Sequence, residues 1–198
     1  MADLRSERSL GLVGSVLVLV GGFIGVIPYM GIFKGTLSLV GEILVLIALK
    51  GIGDKLGDDR PFRYYLYSVI VFFAGLLLAV ILMIIGVFSI SNSTMAFGHP
   101  LHSSMGVFGA TMVTLGGLAV VAVLVLGIYF DIKAWRAAYE VTGVEEFDQV
   151  ATWTKWGVIT LIIFVGVILL FIAAVYQIIG FANLPEEIET STPTNVAS

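Results

Sequence analysis

The chain of 198 residues contains no cysteine, two histidines and five prolines, and 12% of its residues are charged. The absence of cysteine excludes disulfides, thiolate metal sites and cysteine nucleophiles. The scarcity of charge is unlike a soluble domain, in which about 25% of residues are charged, and it leaves no basic surface for nucleic acid. A hydrophobic fraction of 59% and a mean hydropathy of +1.06 indicate instead that lipid is the main solvent of this protein.

The hydrophobic residues fall into five runs that are separated by short polar segments. Each run is close to the roughly 20 residues that a helix needs to cross a bilayer. We therefore predict an all-α, polytopic membrane helical bundle with five transmembrane helices, forming one domain over residues 1–182. The predicted spans are 10–27, 35–52, 64–90, 106–130 and 157–181, with a cytoplasmic helical loop at 131–156 and a flexible external tail at 183–198.

The basic residues are unevenly distributed along the chain. Nearly all of them lie beside alternate membrane ends, and Lys34 is the exception. Because cytoplasmic loops carry the excess of Lys and Arg, we predict a multi-pass plasma-membrane protein with a cytoplasmic N-terminus and an external C-terminus. Aromatic residues at the predicted inner boundaries, such as Tyr65 and Trp135, are expected to anchor the helices at the headgroup level.

Two pairs of segments have similar sequences. GLVGSVLVLVGG at 11–22 and GVFGATMVTLGG at 106–117 share four glycine positions, and VGEILVLIA at 40–48 aligns with VGVILLFIA at 165–173. One interpretation is an inverted repeat of helices 1-2 and 4-5, an arrangement found in transporters. The other is chance matching, because both segments are built from few residue types.

Glycine is abundant, with 23 residues. Helices in lipid associate through close backbone approach, which small residues permit. We predict helix-packing roles, within one chain or between copies, for glycines that have small-xxx-small spacing or stand in pairs. These are Gly21, Gly25, Gly31, Gly35, Gly116 and Gly117.

Glu42 lies near the middle of the second predicted span. A charged group at the centre of a membrane helix costs about 2.5–3.5 kcal/mol on insertion scales, so this carboxyl is expected to be neutral or to face a polar partner. Ser15, Thr111 and Thr114 lie at suitable depth to form this intramembrane polar site. Its role is either interhelical hydrogen bonding or the handling of protons or cations.

The segment between the third and fourth predicted spans contains both histidines. Met95, His99, His102 and Met105 have a thioether and imidazole spacing that suits copper, although an ordinary polar loop has the same composition. Asn92 begins an N-x-Thr glycosylation sequence, but it is close to the membrane end of span three.

Residue combinations for catalysis are missing from the sequence. It has no Ser, His and acid set at one depth, no phosphate-binding glycine loop and no histidine inside a predicted span to hold haem. We therefore expect no enzyme activity and no cofactor.

Several segments resemble a known family. Residues 11–22, the turn at Pro28, residues 39–53 and the segment 137–147 are similar to the domain of unknown function 996 family of archaeal and bacterial integral membrane proteins. The resemblance implies a multi-span plasma-membrane protein and transfers no functional residue.

Three functions are consistent with these observations. We expect a non-catalytic membrane protein that forms a homo-oligomer or is an accessory subunit of a larger complex, with lipid and other membrane subunits or copies of itself as partners. The alternative is a small-ion or proton-coupled transporter or channel that uses Glu42. External copper capture is the third.

Overall fold

The computed structural model describes residues 2–24, 31–97, 104–160 and 165–188, with side chains placed for 2–22, 36–93, 104–160 and 165–188. Helices account for almost all of these residues, which confirms the predicted all-α class. The elements are β1 (Ala2–Asp3), α1 (Arg5–Ile24), α2 (Gly31–Leu56), α3 (Arg60–Phe97), α4 (Ser104–Thr142), α5 (Glu145–Ile159), α6 (Val165–Asn183) and β2 (Glu187–Ile188).

Within the described ranges, four helices are long and apolar enough to cross a membrane: α2, α3, α4 and α6. The predicted count of five is therefore wrong by one. The first predicted span lies in α1, whose first turn carries Arg5, Glu7 and Arg8. The remainder of α1, residues 9–24, is about 24 Å long at 1.5 Å per residue, which is shorter than the roughly 30 Å hydrocarbon layer.

The chain forms two compact units. The first comprises residues 1–66 and 131–198, and the second comprises Tyr67–Phe130. The first unit therefore contains α1, α2, α5, α6, the beginning of α3 and the end of α4, whereas the second contains the remaining parts of α3 and α4.

The two chain ends meet in the first unit. β1 pairs antiparallel with β2, with Asp3 opposite Glu187, and the amide of Leu4 donates to the carbonyl of Glu186 at 2.8 Å. Leu4 and Leu184 are buried beneath this pairing. The two chain ends therefore lie together in this structure, whereas the sequence predicts N- and C-termini on opposite sides of the membrane. Residues 184–188, predicted in a flexible tail, adjoin the N-terminal strand.

The difference involves α5. The sequence predicts a cytoplasmic helical loop at 131–156 and one span at 157–181, but α5 crosses the boundary between them and runs antiparallel to α6. The amide of Asn183 donates to Glu146 at 2.6 Å, and the Phe147 ring lies against Gly180, so the beginning of α5 is beside the end of α6. The end of α6 therefore lies beside the beginning of α5, near the point where α4 ends.

The six helices within the described residues form three consecutive antiparallel hairpins, α1–α2, α3–α4 and α5–α6. Lys55 near the end of α2 contacts Glu7 near the beginning of α1, and Arg60 at the beginning of α3 contacts Glu140 near the end of α4. Each hairpin thus begins and ends at one end of the first unit, where these charged side chains collect. We call this end the polar end.

Glycines set the contact between helices in each hairpin. A methyl group at Gly14 of α1 would lie 2.8 Å from the carbonyl oxygen of Gly41 in α2 and 2.9 Å from the amide nitrogen of Val45. Such distances leave no room for a side chain, so the two backbones touch directly.

The same contacts recur in the α3–α4 hairpin. A methyl group at Gly109 of α4 would lie 2.7 Å from the carbonyl oxygen of Gly86 in α3, and Val113 contacts Gly86 as Val18 contacts Gly41. Helix α4 therefore corresponds to α1, as the alignment of 11–22 with 106–117 indicates, but its partner is α3 rather than the last helix.

The third hairpin has a related contact. The amide nitrogen of Leu170 in α6 would lie 3.1 Å from a methyl group at Gly157 of α5, which parallels Val45 against Gly14. Leu170 is also the residue that the alignment of 40–48 with 165–173 matches to Val45. The repeating unit is thus one glycine-packed hairpin, used three times, instead of a helix pair on either side of a central helix.

Candidate functional site

Glu42 in α2 is hydrogen-bonded to an aromatic side chain. Its carboxylate Oε2 accepts a hydrogen bond from the hydroxyl of Tyr65, which lies one turn into α3. Tyr65 is 5% exposed, and its ring packs edge-on against Trp135 of α4 at a centroid distance of 5.6 Å. This contact helps to position the hydroxyl toward Glu42.

A second carboxylate belongs to the same region. Asp131 of α4 accepts a hydrogen bond from Nε1 of Trp135, one turn further along the helix, at 3.1 Å. The charge of Glu42 acts on Asp131 and the charge of Asp131 acts on Tyr65, so the two acids belong to one electrostatic group. We call Glu42, Tyr65, Asp131 and Trp135 the Glu42 cluster.

The Glu42 cluster has no positive partner within the described residues. The ion pairs of this part of the chain involve Glu7, Asp58, Asp59, Glu140 and Glu186, and neither Glu42 nor Asp131 takes part in one. The hydrogen-bond donors to both carboxylates, a phenol and an indole, are uncharged. Any charge on these acids is therefore stabilised by neutral dipoles alone.

The three hydroxyl groups predicted to contact Glu42 do not donate to it. The hydroxyls of Thr111 and Thr114 donate to the carbonyls of Val107 and Ala110, four residues earlier in α4, at 2.9 Å. The hydroxyl of Ser15 is buried and has no hydrogen-bond partner in the described part of the chain. The hydrogen bond that Glu42 receives comes from Tyr65.

The sequence does not identify Tyr65, Trp135 and Asp131 as site residues, for one reason. All three lie at the boundaries of the hydrophobic runs, where aromatic and acidic residues are ordinarily interfacial. The available signal was the Asp131 and Trp135 spacing, because residues four apart share one face of a helix. That face turns toward α3, whose first residues carry Tyr65.

The predicted packing glycines have varied surroundings. Gly21 lies against Ser38 of α2, Gly116 lies against Met83 of α3, and Gly117 has no atom near its Cβ position. Gly25 lies outside the described residues. Gly31 and Gly35 begin α2, but their surroundings lie outside the described side chains.

The predicted copper ligands are mostly outside the described part of the chain. This applies to His99 and His102 and to the side chain of Met95, whereas Met105 is exposed near the beginning of α4. Among the described residues, no group of three His, Asp or Glu side chains is arranged to hold a metal ion. Asn92, the predicted glycosylation residue, is half-buried in the last turns of α3.

A second set of charges occupies the polar end. Lys55 donates to Glu7 at 2.6 Å and to the carbonyl of Asp3 at 2.6 Å, and Ser6 donates to Glu7 at 2.9 Å. Burial raises the pKa of the Glu7 carboxyl, but hydrogen bonds from Lys55, its own backbone and Ser6 and the charge of Lys55 outweigh burial and leave this pKa below its ordinary value. Glu7 is thus ionised at neutral pH.

Comparison with known proteins identifies the family. No solved structure matches the chain. An uncharacterized protein of Methanocaldococcus jannaschii is 28% identical over 188 residues, which cover 95% of this chain and 97% of that protein. The model of the family described as proteins of unknown function, DUF996, matches residues 37–175, a range that includes the whole Glu42 cluster. As the resemblance predicts, the chain belongs to the DUF996 family.

Proposed function

We propose that this multi-pass membrane protein conducts or couples protons, and that Glu42 and Asp131 are the groups that carry them. The observation behind the proposal is the Glu42 cluster, in which two acids on different helices flank the Tyr65 and Trp135 contact and form no ion pair within the described part of the chain. Ionisable residues inside membrane helices are costly and ordinarily mark ion or proton pathways. A purely structural contact at this place needs only one neutral hydrogen-bonding pair.

The chemistry of the cluster favours a proton over a metal cation. Two ionised carboxylates of one group repel each other, so a state in which one of them holds a proton is favoured. A divalent cation needs about six oxygen ligands. The cluster contributes two carboxylates, and the carbonyls of the surrounding helices are used in helical hydrogen bonds.

Proton flux into proteoliposomes tests this proposal. The vesicles contain a pH-sensitive dye, and a membrane potential is imposed across them. We expect the lumen pH to change faster in vesicles that contain the parent protein than in protein-free vesicles. Glu42→Gln and Asp131→Asn should each remove most of this flux, since each amide can hydrogen-bond but cannot release a proton. Glu145→Gln, which neutralises an exposed acid of α5 outside the cluster, should leave the flux unchanged.

Two results would contradict proton transport. One is flux from the parent protein that equals the protein-free background. The other is an unchanged rate in both Glu42→Gln and Asp131→Asn, which would assign any flux to another pathway.

A second candidate is a non-catalytic subunit that forms a homo-oligomer or joins a larger membrane complex. The surface of α4 around Gly117 favours it, because Gly117 has open space at its Cβ position and Val121, one turn later, is 58% exposed. A glycine beside an apolar side chain permits close approach of another helix. Native mass measurement of the solubilised protein tests it: we expect an oligomer that Gly117→Leu converts to monomer, whereas a monomeric parent contradicts it.

Both candidates share one membrane arrangement. The basic residues of the polar end, among them Arg5, Arg8, Lys55 and Arg60, support a cytoplasmic location for this end and hence for both termini in the plasma membrane. Neither candidate requires a catalytic residue or a cofactor, and copper capture has no support from the described residues.

A further inference from the structure

A cleft at the polar end combines positive charge with an apolar wall. It has a volume of about 390 Å³ and lies along the first two turns of α1, beside the segment that precedes β2. We call it the arginine cleft, and its lining residues are Arg5, Arg8, Ser9, Leu12, Val13 and Glu186.

The charge of the arginine cleft is not balanced. Arg5 Nε lies 2.9 Å from Glu186 Oε2, and Arg8 Nη1 lies 3.4 Å from Glu186 Oε1, so one carboxylate serves two guanidinium groups. The Arg5 and Arg8 side chains are 65% and 39% exposed. Each guanidinium has five N–H donors, and most of these remain available to an oxyanion.

The residues that line the cleft carry one net positive charge, and the other acids of this region lie outside the lining. Glu7 is paired with Lys55, the Asp3 carboxylate accepts the amide of Arg5 at 3.0 Å, and Glu187 lies opposite Asp3 in the strand pair. Lys55 also binds the Asp3 carbonyl, which fixes the backbone that carries Arg5. The two arginines are therefore presented from a firmly attached segment.

The apolar wall continues from the arginines along α1. Leu12 and Val13 follow Arg8 by about one turn, and Val13 is 49% exposed. Eight residues separate Arg5 from Val13, a rise of about 12 Å. The headgroup layer on each side of a bilayer is about 5–8 Å thick, so a cleft of this length reaches from the headgroups into the acyl region.

We propose that the arginine cleft binds an anionic phospholipid from the leaflet at the polar end. The lipid phosphate displaces Glu186 from the exposed N–H groups of Arg5 and Arg8, and one acyl chain lies against Leu12 and Val13. A free phosphate ion uses the arginines but gains nothing from the apolar wall, and a zwitterionic lipid adds a positive group to a site that is already positive. Anionic lipid is therefore the favoured occupant.

The test uses the full chain, purified in detergent and stripped of lipid. Phosphatidylglycerol, phosphatidylcholine and inorganic phosphate are titrated separately while native mass spectrometry counts bound molecules and thermal denaturation gives Tm. We expect one phosphatidylglycerol to remain bound and to raise Tm, with at least tenfold weaker retention of phosphatidylcholine and no effect of phosphate.

Three variants separate lipid binding from a structural role of the ion pairs. Arg5→Gln with Arg8→Gln should weaken phosphatidylglycerol binding at least tenfold, and Arg136→Gln, which removes an exposed arginine outside the cleft, should not. Glu186→Gln should strengthen binding several-fold, because it removes the competing carboxylate.

Three outcomes overturn the proposal. They are equal binding of phosphatidylglycerol and phosphatidylcholine, a loss in the double variant no larger than in Arg136→Gln, and weaker lipid binding in Glu186→Gln. The last result identifies the ion pairs as structural only, and it remains informative even where the double arginine variant does not fold.

Discussion

The ammonium group of Lys55 lies 2.6 Å from Oε2 of Glu7 and joins the end of α2 to the first turn of α1. The Glu7 side chain is 9% exposed, whereas that of Lys55 is 36% exposed, so the carboxylate depends on its partner more than the ammonium does. Lys55 also donates to the carbonyl of Asp3, the last residue of β1, two residues before α1 begins. One lysine thus holds the first hairpin closed and attaches strand β1 to it.

Replacement of Lys55 by Met is expected to destabilise the protein. The methionine keeps the apolar stem but leaves the buried Glu7 carboxylate without its charged donor, and hydrogen bonds to charged groups contribute about 1.5–3 kcal/mol. Thermal denaturation in detergent should show a lower Tm for Lys55→Met. Lys50→Met changes an exposed lysine of the same helix and should leave Tm unchanged; equal Tm values for both variants would contradict the role of the pair.

The Glu7 pair also predicts a pH dependence of stability. The pKa of Glu7 is lower in the folded protein than its ordinary value, so the folded state favours the ionised form. The resulting stabilisation is fully present above the ordinary Glu pKa of about 4.3 and is lost as the pH falls through the lower folded value. We expect the Tm difference between the parent and Glu7→Gln to be constant from pH 7 to 5 and to shrink below about pH 4. A difference that stays constant down to pH 3 would show that Glu7 does not titrate in this way.

The sequence predicts the membrane helices of this fold, but it does not predict how the segments at the membrane boundary pack. Long apolar runs determine that α2, α3, α4 and α6 are membrane helices, because few other structures satisfy a backbone in lipid. Helix α5 was predicted as part of a helical loop, but its packing on α6 was not, because Glu145, Glu146 and Asp148 occupy its first turn and indicate a solvated face. Its buried residues include Ala151 and Phe147, and the Phe147 ring packs on Gly180 and Phe181 of α6.

The candidate site was predictable only in part for a related reason. Glu42 is conspicuous because it interrupts an apolar run, but its partners are not, since Tyr65 and Asp131 lie where interfacial residues are common. The partner of a buried acid depends on which helices are neighbours. That information comes from the glycine contacts, and sequence identifies the glycines without identifying what each one faces.

Close backbone contact at Gly14 predicts a large effect of adding one methyl group. In Gly14→Ala the new Cβ would meet the carbonyl of Gly41 and the backbone of Val45, and overpacking of this kind costs about 1–3 kcal/mol. Gly22→Ala, on the same helix, has no atom near its new Cβ and should be neutral or stabilising by about 0.5–1 kcal/mol. Tm values for the two variants check this prediction.

The α3–α4 hairpin provides an independent version of the same test. Gly109→Ala should destabilise like Gly14→Ala, because its Cβ would lie 2.7 Å from the carbonyl of Gly86, whereas Gly117→Ala should not. If the variants at positions 14 and 109 were as stable as those at 22 and 117, the glycine-packed hairpin would not be the repeating unit.

The hydrogen bond from Tyr65 to Glu42 predicts an energetic coupling between the two side chains. Tyr65→Phe retains the ring contact with Trp135 and removes the hydroxyl, leaving the Glu42 carboxyl unsatisfied at a cost of about 1–3 kcal/mol. In a Glu42→Leu background the same change should cost much less, because no acceptor remains. The measurement is a double-mutant cycle of thermal stability, and additive effects of the two substitutions would exclude a direct interaction.

The pairing of β1 with β2 predicts a specific disulfide. Asp3 and Glu187 are directly opposite in an antiparallel pair, where Cα atoms are about 4.5–5.5 Å apart, within the range of about 4.4–6.8 Å that disulfides span. The natural chain has no cysteine, so Asp3→Cys with Glu187→Cys introduces the only two thiols. Mild oxidation in membranes should link them, which appears as a faster band on a non-reducing gel that disappears with reductant.

The control is Asp3→Cys with Glu145→Cys, which pairs the strand with an exposed position of α5 and should remain unlinked. Chain ends on opposite faces of the membrane cannot form the Asp3→Cys to Glu187→Cys bond within one molecule, because the hydrocarbon layer alone separates them by roughly 30 Å. Failure of this bond to form under conditions that oxidise a thiol control would therefore contradict the pairing of the two chain ends and support an odd number of membrane crossings.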